Sequence, residues 1–182
     1  IEDWSAKVDV DWMPNPDHLV KFGLGDIYHT FTPGVNQFQF SETGTSALDT
    51  TFGAVKHYAH EASAYIEDDW TVNNSIKGNG GLHYSTFFVG DKQYSSFQPR
   101  LSFRYLIDSK SSFKMGYAKM GQFLHLLTNS GIGLPTDLWV PATEKIKPQF
   151  SDQIAAGYAR TFSDKFEVSL EGYYKTMDNL IE

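Results

Sequence analysis

The side chains able to do chemistry fall into a few short clusters. His57, Tyr58, Ala59, His60 and Glu61 place two imidazoles and a carboxylate close together, a set that could hold a metal ion if the chain curled there. Zinc needs three or four such donors converging on one point. On an extended strand, residues three apart point to opposite faces, so His57 and His60 could not chelate together. The segment reads as two loop-edge histidines and no metal site. Glu67, Asp68 and Asp69 raise the question of general acid/base work. Here too a strand alternates the faces, leaving Glu67 with Asp69 on one side and Asp68 on the other. With Arg100 and Arg104 available across a sheet, the spacing predicts a cross-strand ion-pair ladder rather than a catalytic pair. Gly78, Gly80 and Gly81 have no helix after them and are no phosphate loop; they predict bending or close backbone approach. The chain has no cysteine, which removes disulfides, thiolate metal sites and thiol nucleophiles. No catalytic residue and no cofactor is expected.

The elements that must position these residues are strands. In Asp3 to Trp12, Trp4, Ala6, Val8, Val10 and Trp12 alternate with Asp3, Ser5, Lys7, Asp9 and Asp11, and period two is the signature of a strand with two unlike faces. The alternation returns at Val20 to Leu24, Ala62 to Ile66, Leu82 to Tyr84, Leu101 to Ile107, Phe113 to Tyr117, Ile154 to Tyr158 and Phe166 to Tyr174. The rule predicts about eight strands in an all-β, antiparallel, up-and-down arrangement. Short polar turns are expected at Pro14 to Asp17, Asn73 and Asn74, Asp108 to Ser111 and Ser163 to Lys165. Longer connections are expected at Thr32 to Lys56, Phe87 to Phe97 and Met120 to Gln149. Short links on one rim and long ones on the other suit a transmembrane β-barrel.

The two faces differ in a way that bears on solvent. The polar one carries Asp9, Asp11, Glu67, Asp69, Arg100, Arg104 and Glu171, with Lys7, Lys77, Glu167 and Lys175, which suits a water-filled or plugged lumen. The apolar one concentrates Trp4, Trp12, Trp70, Tyr84, Tyr105, Tyr117, Tyr158, Phe166 and Tyr174 near strand ends, the pattern of an aromatic girdle at lipid headgroups. A soluble β-sandwich displaying the long loops as a binding or adhesion module would give the same alternation. An outer-membrane enzyme would need a Ser/His/Asp or paired-carboxylate cluster at one rim.

Bulk properties narrow the partners. With 182 residues, 15 Lys and Arg, 22 Asp and Glu and a net charge of -7, the chain offers no basic cluster for nucleic acid. No apolar run of about 18 residues could cross a bilayer as a helix. The chain opens at Ile1 with no initiator Met or signal peptide and stops at Glu182 in an apparent strand, so residues 1–182 read as a fragment of a larger barrel domain. Cut out, such a segment has two unpaired edges and should aggregate, pair edge to edge or close into a smaller barrel.

Tyr65 to Trp70 (YIEDDW), Gln98 to Tyr105 (QPRLSFRY), Gly116 to Gln149 and Glu171 to Glu182 (EGYYKTMDNLIE) resemble TonB-dependent receptors of Bacteroidetes-type bacteria over most of the chain. The resemblance implies the latter half of an outer-membrane barrel of about 22 strands, without its plug domain. It implies uptake of a scarce nutrient (an iron chelate, cobalamin, glycan or peptide), engagement of the TonB complex through the missing plug, contact with outer-membrane lipid, and a surface lipoprotein as a partner in some members. The loop from Gln122 to Lys147 is then the candidate for ligand or plug contact, through His125, Asn129, Asp137 and Trp139: an aromatic ring for stacking and polar groups for directed hydrogen bonds. Equally, Phe123, Leu124, Leu126, Leu127 and Trp139 could fold the loop back onto the barrel mouth as a lid.

Overall fold

The computed structural model describes residues 1–32, 36–40, 48–52, 56–129, 136–162 and 165–180. Among them the strands are β1 (Glu2–Asn15), β2 (His18–Phe31), β3 (Asn36–Phe40), β4 (Leu48–Phe52), β5 (His57–Thr71), β6 (Ile76–Val89), β7 (Lys92–Asp108), β8 (Ser111–Gln122), β9 (Leu124–Asn129), β10 (Thr136–Pro141), β11 (Gln149–Phe162) and β12 (Phe166–Asp178). Eight of them form one sheet in the order β1-β2-β5-β6-β7-β8-β11-β12, each antiparallel to its neighbours. These are the eight strands that alternation picks out. Among the described residues β1 and β12 do not pair with each other, so the sheet is open with two edges.

Register keeps the faces apart. Val10, Phe22, Ile66, Leu82 and Pro99 stand abreast on one side. Asp11, Lys21, Glu67, Gly81, Arg100 and Ala118 stand abreast on the other. A one-residue slip would exchange the two sets, so the side-chain pattern itself fixes the pairing. The tight turns lie on one rim and are closed by short polar side chains. Asn15 accepts the Asp17 N–H at 2.9 Å, Asn73 accepts those of Ser75 and Ile76 at 2.9 Å, and Asp108 accepts that of Lys110 at 2.7 Å. Each is the local mimic of a backbone turn that Asn and Asp favour. Of the turn expected at Ser163 to Lys165, residues 163 and 164 lie outside the described residues.

The opposite rim departs from expectation in two ways. The connection expected from Phe87 to Phe97 is strand almost throughout. Val89 pairs with Lys92 across a two-residue turn in which Gly90 takes φ +55°, a conformation glycine supplies without a Cβ clash. The stretch Gln93 to Ser96 lacks apolar alternation because polar pairs hold it to β6. Gln93 donates to Thr86 at 3.1 Å, Tyr84 to Ser95 at 3.1 Å and Ser95 to Thr86 at 3.3 Å. The two longer connections are not plain loops either, since β3 with β4 and β9 with β10 form hairpins inside them. Of Thr32 to Lys56, residues 33–35, 41–47 and 53–55 lie outside the described residues.

Burial is arranged inside out. Trp4, Val8, Trp12, Leu24, Phe97, Leu101, Val168, Leu170 and Tyr174 are all exposed, and registry puts them on the apolar face. The buried residues His29, Phe31, Ala59, Ser85, Phe87, Ser96, Gln98 and Ser151 belong to the polar face, which the β9–β10 hairpin partly covers. β1 and β12 are exposed along their whole length. On the apolar side, Trp70 lies over Gly78 and Gly80. A Cβ at Gly78 would sit 2.5 Å from the indole and one at Gly80 3.1 Å, which is the close approach the glycine cluster predicts.

Candidate functional site

The polar face is the functional candidate, and it is built in three parts. The first is an acidic region on β1, β2 and β5. Tyr65 donates to Asp9 at 2.5 Å, and Lys7 pairs with Asp9 at 3.0 Å while lying 5.4 Å from the centre of the Tyr65 ring. Lys21 reaches Asp69 at 3.4 Å and Glu67 at 3.7 Å, and Asn79 donates to Asp69 at 2.7 Å. His29 contacts Asp3 at 2.9 Å and Glu61 at 3.7 Å. A ladder exists, but its cation is Lys21 rather than Arg100 or Arg104. The reason is register: Lys21 is directly opposite Glu67, whereas Arg100 is opposite Gly81 and lies a strand further away. Direct cross-strand partners are close enough to pair; those two strands off are not.

The second part is a cleft of about 260 Å³ floored by Gly25, Ser63 and Gly81 and edged by Lys7, Tyr65, Glu67, His83 and Arg100. Small residues on three adjacent strands make the hollow. Gly81 is required there, because a Cβ would lie 2.9 Å from that of Glu67. The cleft thus offers both charge signs, a phenol and an imidazole to a polar guest.

The third part is the segment from Phe123 to Pro148. Phe123 stacks on Phe87 with ring centres 5.2 Å apart and planes 4° from parallel, and with Phe31, Ala59 and Ala142 these residues form the apolar core. Ala142 N–H donates to the Phe123 carbonyl at 2.7 Å, extending the β9–β10 pairing. Tyr94 donates to the Thr143 carbonyl at 2.7 Å, and Lys92 pairs with Glu144 at 2.9 Å. The chain leaving β10 is therefore tied down over residues 142–144.

The residues singled out for ligand or plug contact separate within this hairpin. His125 is 2% exposed and neither ring nitrogen makes a well-formed hydrogen bond. Burial, the larger influence, holds its pKa below the ordinary 6.5, with the Lys147 backbone pulling the other way. Trp139 is 44% exposed, as is Leu126, while Leu124 packs against the core. The lid role thus falls to Phe123 and Leu124, and Trp139 stays open to a partner. Asn129 pairs through its backbone with Thr136, and Asp137 with Thr128; their side chains, like that of Leu127, lie outside what is described. Glu171 leans over Gly157 near the last strand, and Asp11 stands beside Lys21 in the acidic region.

Sequence reasoning put Lys7 on the polar face but did not gather it with Lys21, Tyr65 and His83 into one polar cluster. Alternation carried the signal for the face, but register was needed for the partners. It also missed polar pairs on the apolar face: His18 with Asp68 at 2.7 Å near the tight-turn rim, and, towards the other, His60 with Asp26 at 2.8 Å and Lys119 with Asp152 at 3.8 Å, where Tyr117 also donates to Asp152 at 2.6 Å. His57 and His60 do point to opposite faces, since His57 is abreast of Phe31 and His60 of Tyr28.

Residues 2–182 match the family model described as TonB dependent receptor-like, beta-barrel. No curated protein matches the sequence. Among solved structures, the siderophore receptor PirA of Acinetobacter baumannii superposes with a TM-score of 0.64 at 19% identity, over 95% of this chain and 26% of that one. The copper transporter OprC gives 0.65 at 17% identity, over 96% of this chain and 29% of that one. OmpT, an outer membrane protein of Vibrio cholerae, gives 0.58 at 13% identity, over 96% and 46%. The chain therefore spans less than half the length of each.

Proposed function

This chain belongs to the family of TonB-dependent receptor-like β-barrels of the bacterial outer membrane, and from that premise we propose that its eight main strands are one part of the wall of an uptake receptor. The single observation that carries the reading is the inside-out burial: Val8, Leu24, Leu101 and Leu170 are 56–76% exposed on a face that none of the described residues covers. In water such a face is an aggregation surface; against lipid it is the face that belongs outside. The alternative of a soluble β-sandwich would bury that face against a second sheet, whereas here the small core sits on the polar side.

In this reading the polar face lines the lumen, with Asp9, Asp11, Glu67, Asp69, Arg100, Arg104 and Glu171 as its charged lining. Residues 1–182 are a segment of a barrel domain whose plug is encoded elsewhere. The receptor takes up a small nutrient, energised by TonB through that plug, with outer-membrane lipid as its surroundings and a surface lipoprotein as an accessory partner. The class of nutrient (iron chelate, cobalamin, glycan or peptide) and the likeness to receptors of Bacteroidetes-type bacteria belong to the same reading. Trp139, with Asn129 and Asp137 on the paired strands beside it, is its proposed ligand or plug contact. His125, closed into the core, positions the hairpin.

The test is to express the whole gene product with its export signal and fractionate the cells. Heat-modifiable, detergent-dependent protein in the outer membrane is the expected outcome. A soluble product indifferent to detergent would overturn the reading.

A further inference from the structure

The apolar, outward face changes character on β2, β5 and β6 towards the rim of the long connections. Register sets Tyr28, His60 and Phe88 abreast there, with Trp4 beside Tyr28 on β1. Tyr58, the next outward residue on β5, stacks on Tyr28 with ring centres 6.0 Å apart and planes 22° from parallel. Tyr28 meets His60 at 6.4 Å, and His60 meets Phe88 at 6.4 Å, so these four rings form one continuous shelf. The shelf is open: Phe88 is 39%, Tyr28 43% and Tyr58 52% exposed. Among the described residues neither the Tyr28 nor the Tyr58 hydroxyl has a hydrogen-bond partner. The next row towards the tight-turn rim is Ala6, Asp26, Ala62, Thr86 and Ser95, a shallow step with methyl groups, hydroxyls and one carboxylate. Asp26 holds His60 at 2.8 Å, and half of its side chain still faces out.

Rings in contact with one another beside a carboxylate and free hydroxyls are more than an apolar coat. The row beyond the step is Val8, Leu24, Ala64, Tyr84 and Phe97, so Asp26 marks where hydrocarbon ends, because acyl chains offer a carboxylate no hydrogen bonds. A phosphate headgroup would call for Lys or Arg. The outward positions of β1, β2, β5, β6 and β7 hold neither, and Lys119, outward on β8, is paired with Asp152 at 3.8 Å. A sugar calls for what is present: electron-rich ring faces for its C–H face, and a carboxylate, an imidazole and hydroxyls for the O–H groups at its edge. We propose that this shelf binds the saccharide headgroup of a membrane-anchored glycolipid, whose acyl chains lie on the apolar rows beside it. The sugar is an anchored one because the shelf runs without a break into the apolar face. The proposal rests on the wall-segment reading above for the statement that this face meets the membrane.

The experiment uses the complete receptor purified from outer membranes in detergent. Its micelles are seeded with equal amounts of digalactosyl-diacylglycerol, phosphatidylethanolamine and phosphatidylglycerol carrying the same chains, and native mass spectrometry counts the lipids retained. Preferential retention of the galactolipid is expected. Tyr28→Ala should cut it about threefold or more, the loss expected for one aromatic contact, whereas Tyr28→Phe, which keeps the ring, should hold most of it. Tyr174→Ala, on the same face at β12, should leave it unchanged. Heat-modifiable migration of each variant shows that the barrel has formed. Equal retention of the three lipids, a preference for phosphatidylglycerol, equal losses from Tyr28→Ala and Tyr174→Ala, or full displacement of the galactolipid by free digalactose at equal concentration would each overturn the proposal. A receptor that stays soluble without detergent would strike the barrel reading and this one with it; a detergent-dependent, heat-modifiable receptor lacking the preference would strike this one alone.

Discussion

The corner of the sheet covered by the β9–β10 hairpin and the bare strands at its two edges obey the same alternation but end up in opposite physical states. At the covered corner, polar-face positions are filled by Phe31, Ala59 and Phe87, closed over by Phe123 and Ala142. On β1 and β12 every residue is exposed, on both faces. The difference teaches that burial in this protein is not a property of the strands themselves. The apolar part of it gathers where the chain supplies its own cover, and in the proposed receptor the remaining strands would face lipid on one side, a lumen on the other, and paired strands at the edges.

Four changes would break or sharpen that contrast. Truncating Phe87, fully buried under Phe123, should cost about 3–5 kcal/mol, the usual range for a core Phe→Ala. The visible result of Phe87→Ala should be rapid protease cleavage within the hairpin while the wall stays heat-modifiable. If the wall were lost as well, the corner would be part of the barrel's own stability and the contrast would fail. On the bare wall, Leu101→Arg should destabilise the receptor by about 2–4 kcal/mol in lipid vesicles, as a charge on a lipid face does near mid-membrane. Ser102→Arg, one residue away on the polar face, should be nearly silent. Equal effects in chemical denaturation would mean that the faces are misassigned.

A third change probes packing on the exposed side. Gly78→Ala puts a Cβ 2.5 Å from the Trp70 ring, an overpacking of about 1–3 kcal/mol. Adding Trp70→Ala should remove most of that penalty, and an additive double mutant would sink the account. The smallest effect concerns acidity. An undocked His125 protonates at its ordinary value, while the docked ring resists the charge because burial lowers its pKa. Protons therefore favour the undocked hairpin: docking is fully stable above 6.5, weakens as pH falls through that value, and levels off below the docked pKa. Protease sensitivity of the hairpin should rise over that window, and His125→Phe should flatten the profile.

Much of the wall was legible in residues alone. Trp4 to Trp12 could be read as a strand because two faces in unlike surroundings impose a period of two, and Asn15, Asn73 and Asp108 could be read as turns because their side chains close them locally. The hairpin between Val89 and Lys92 was hidden, since hydroxyl and amide pairs hold its strands and leave no apolar rhythm. Of the candidate site, the charged lining was visible as a set, and its pairing was not. Lys21 takes Glu67 and Asp69, and Arg104 is left between two lysines, because sheet order and register decide which charges stand abreast.

The sequence by itself determined the all-β class, the eight strands, their two faces and the tight-turn rim, since each depends on neighbours within a few residues. Only the tertiary structure decided that His125 is buried while Trp139 stays open, and that Asp9, Glu67 and Asp69 find partners while Lys77, Arg104 and Lys114 form no ion pair among the described residues. Those outcomes depend on contacts between residues tens of positions apart, brought together by strand register and by one hairpin folding back over the sheet.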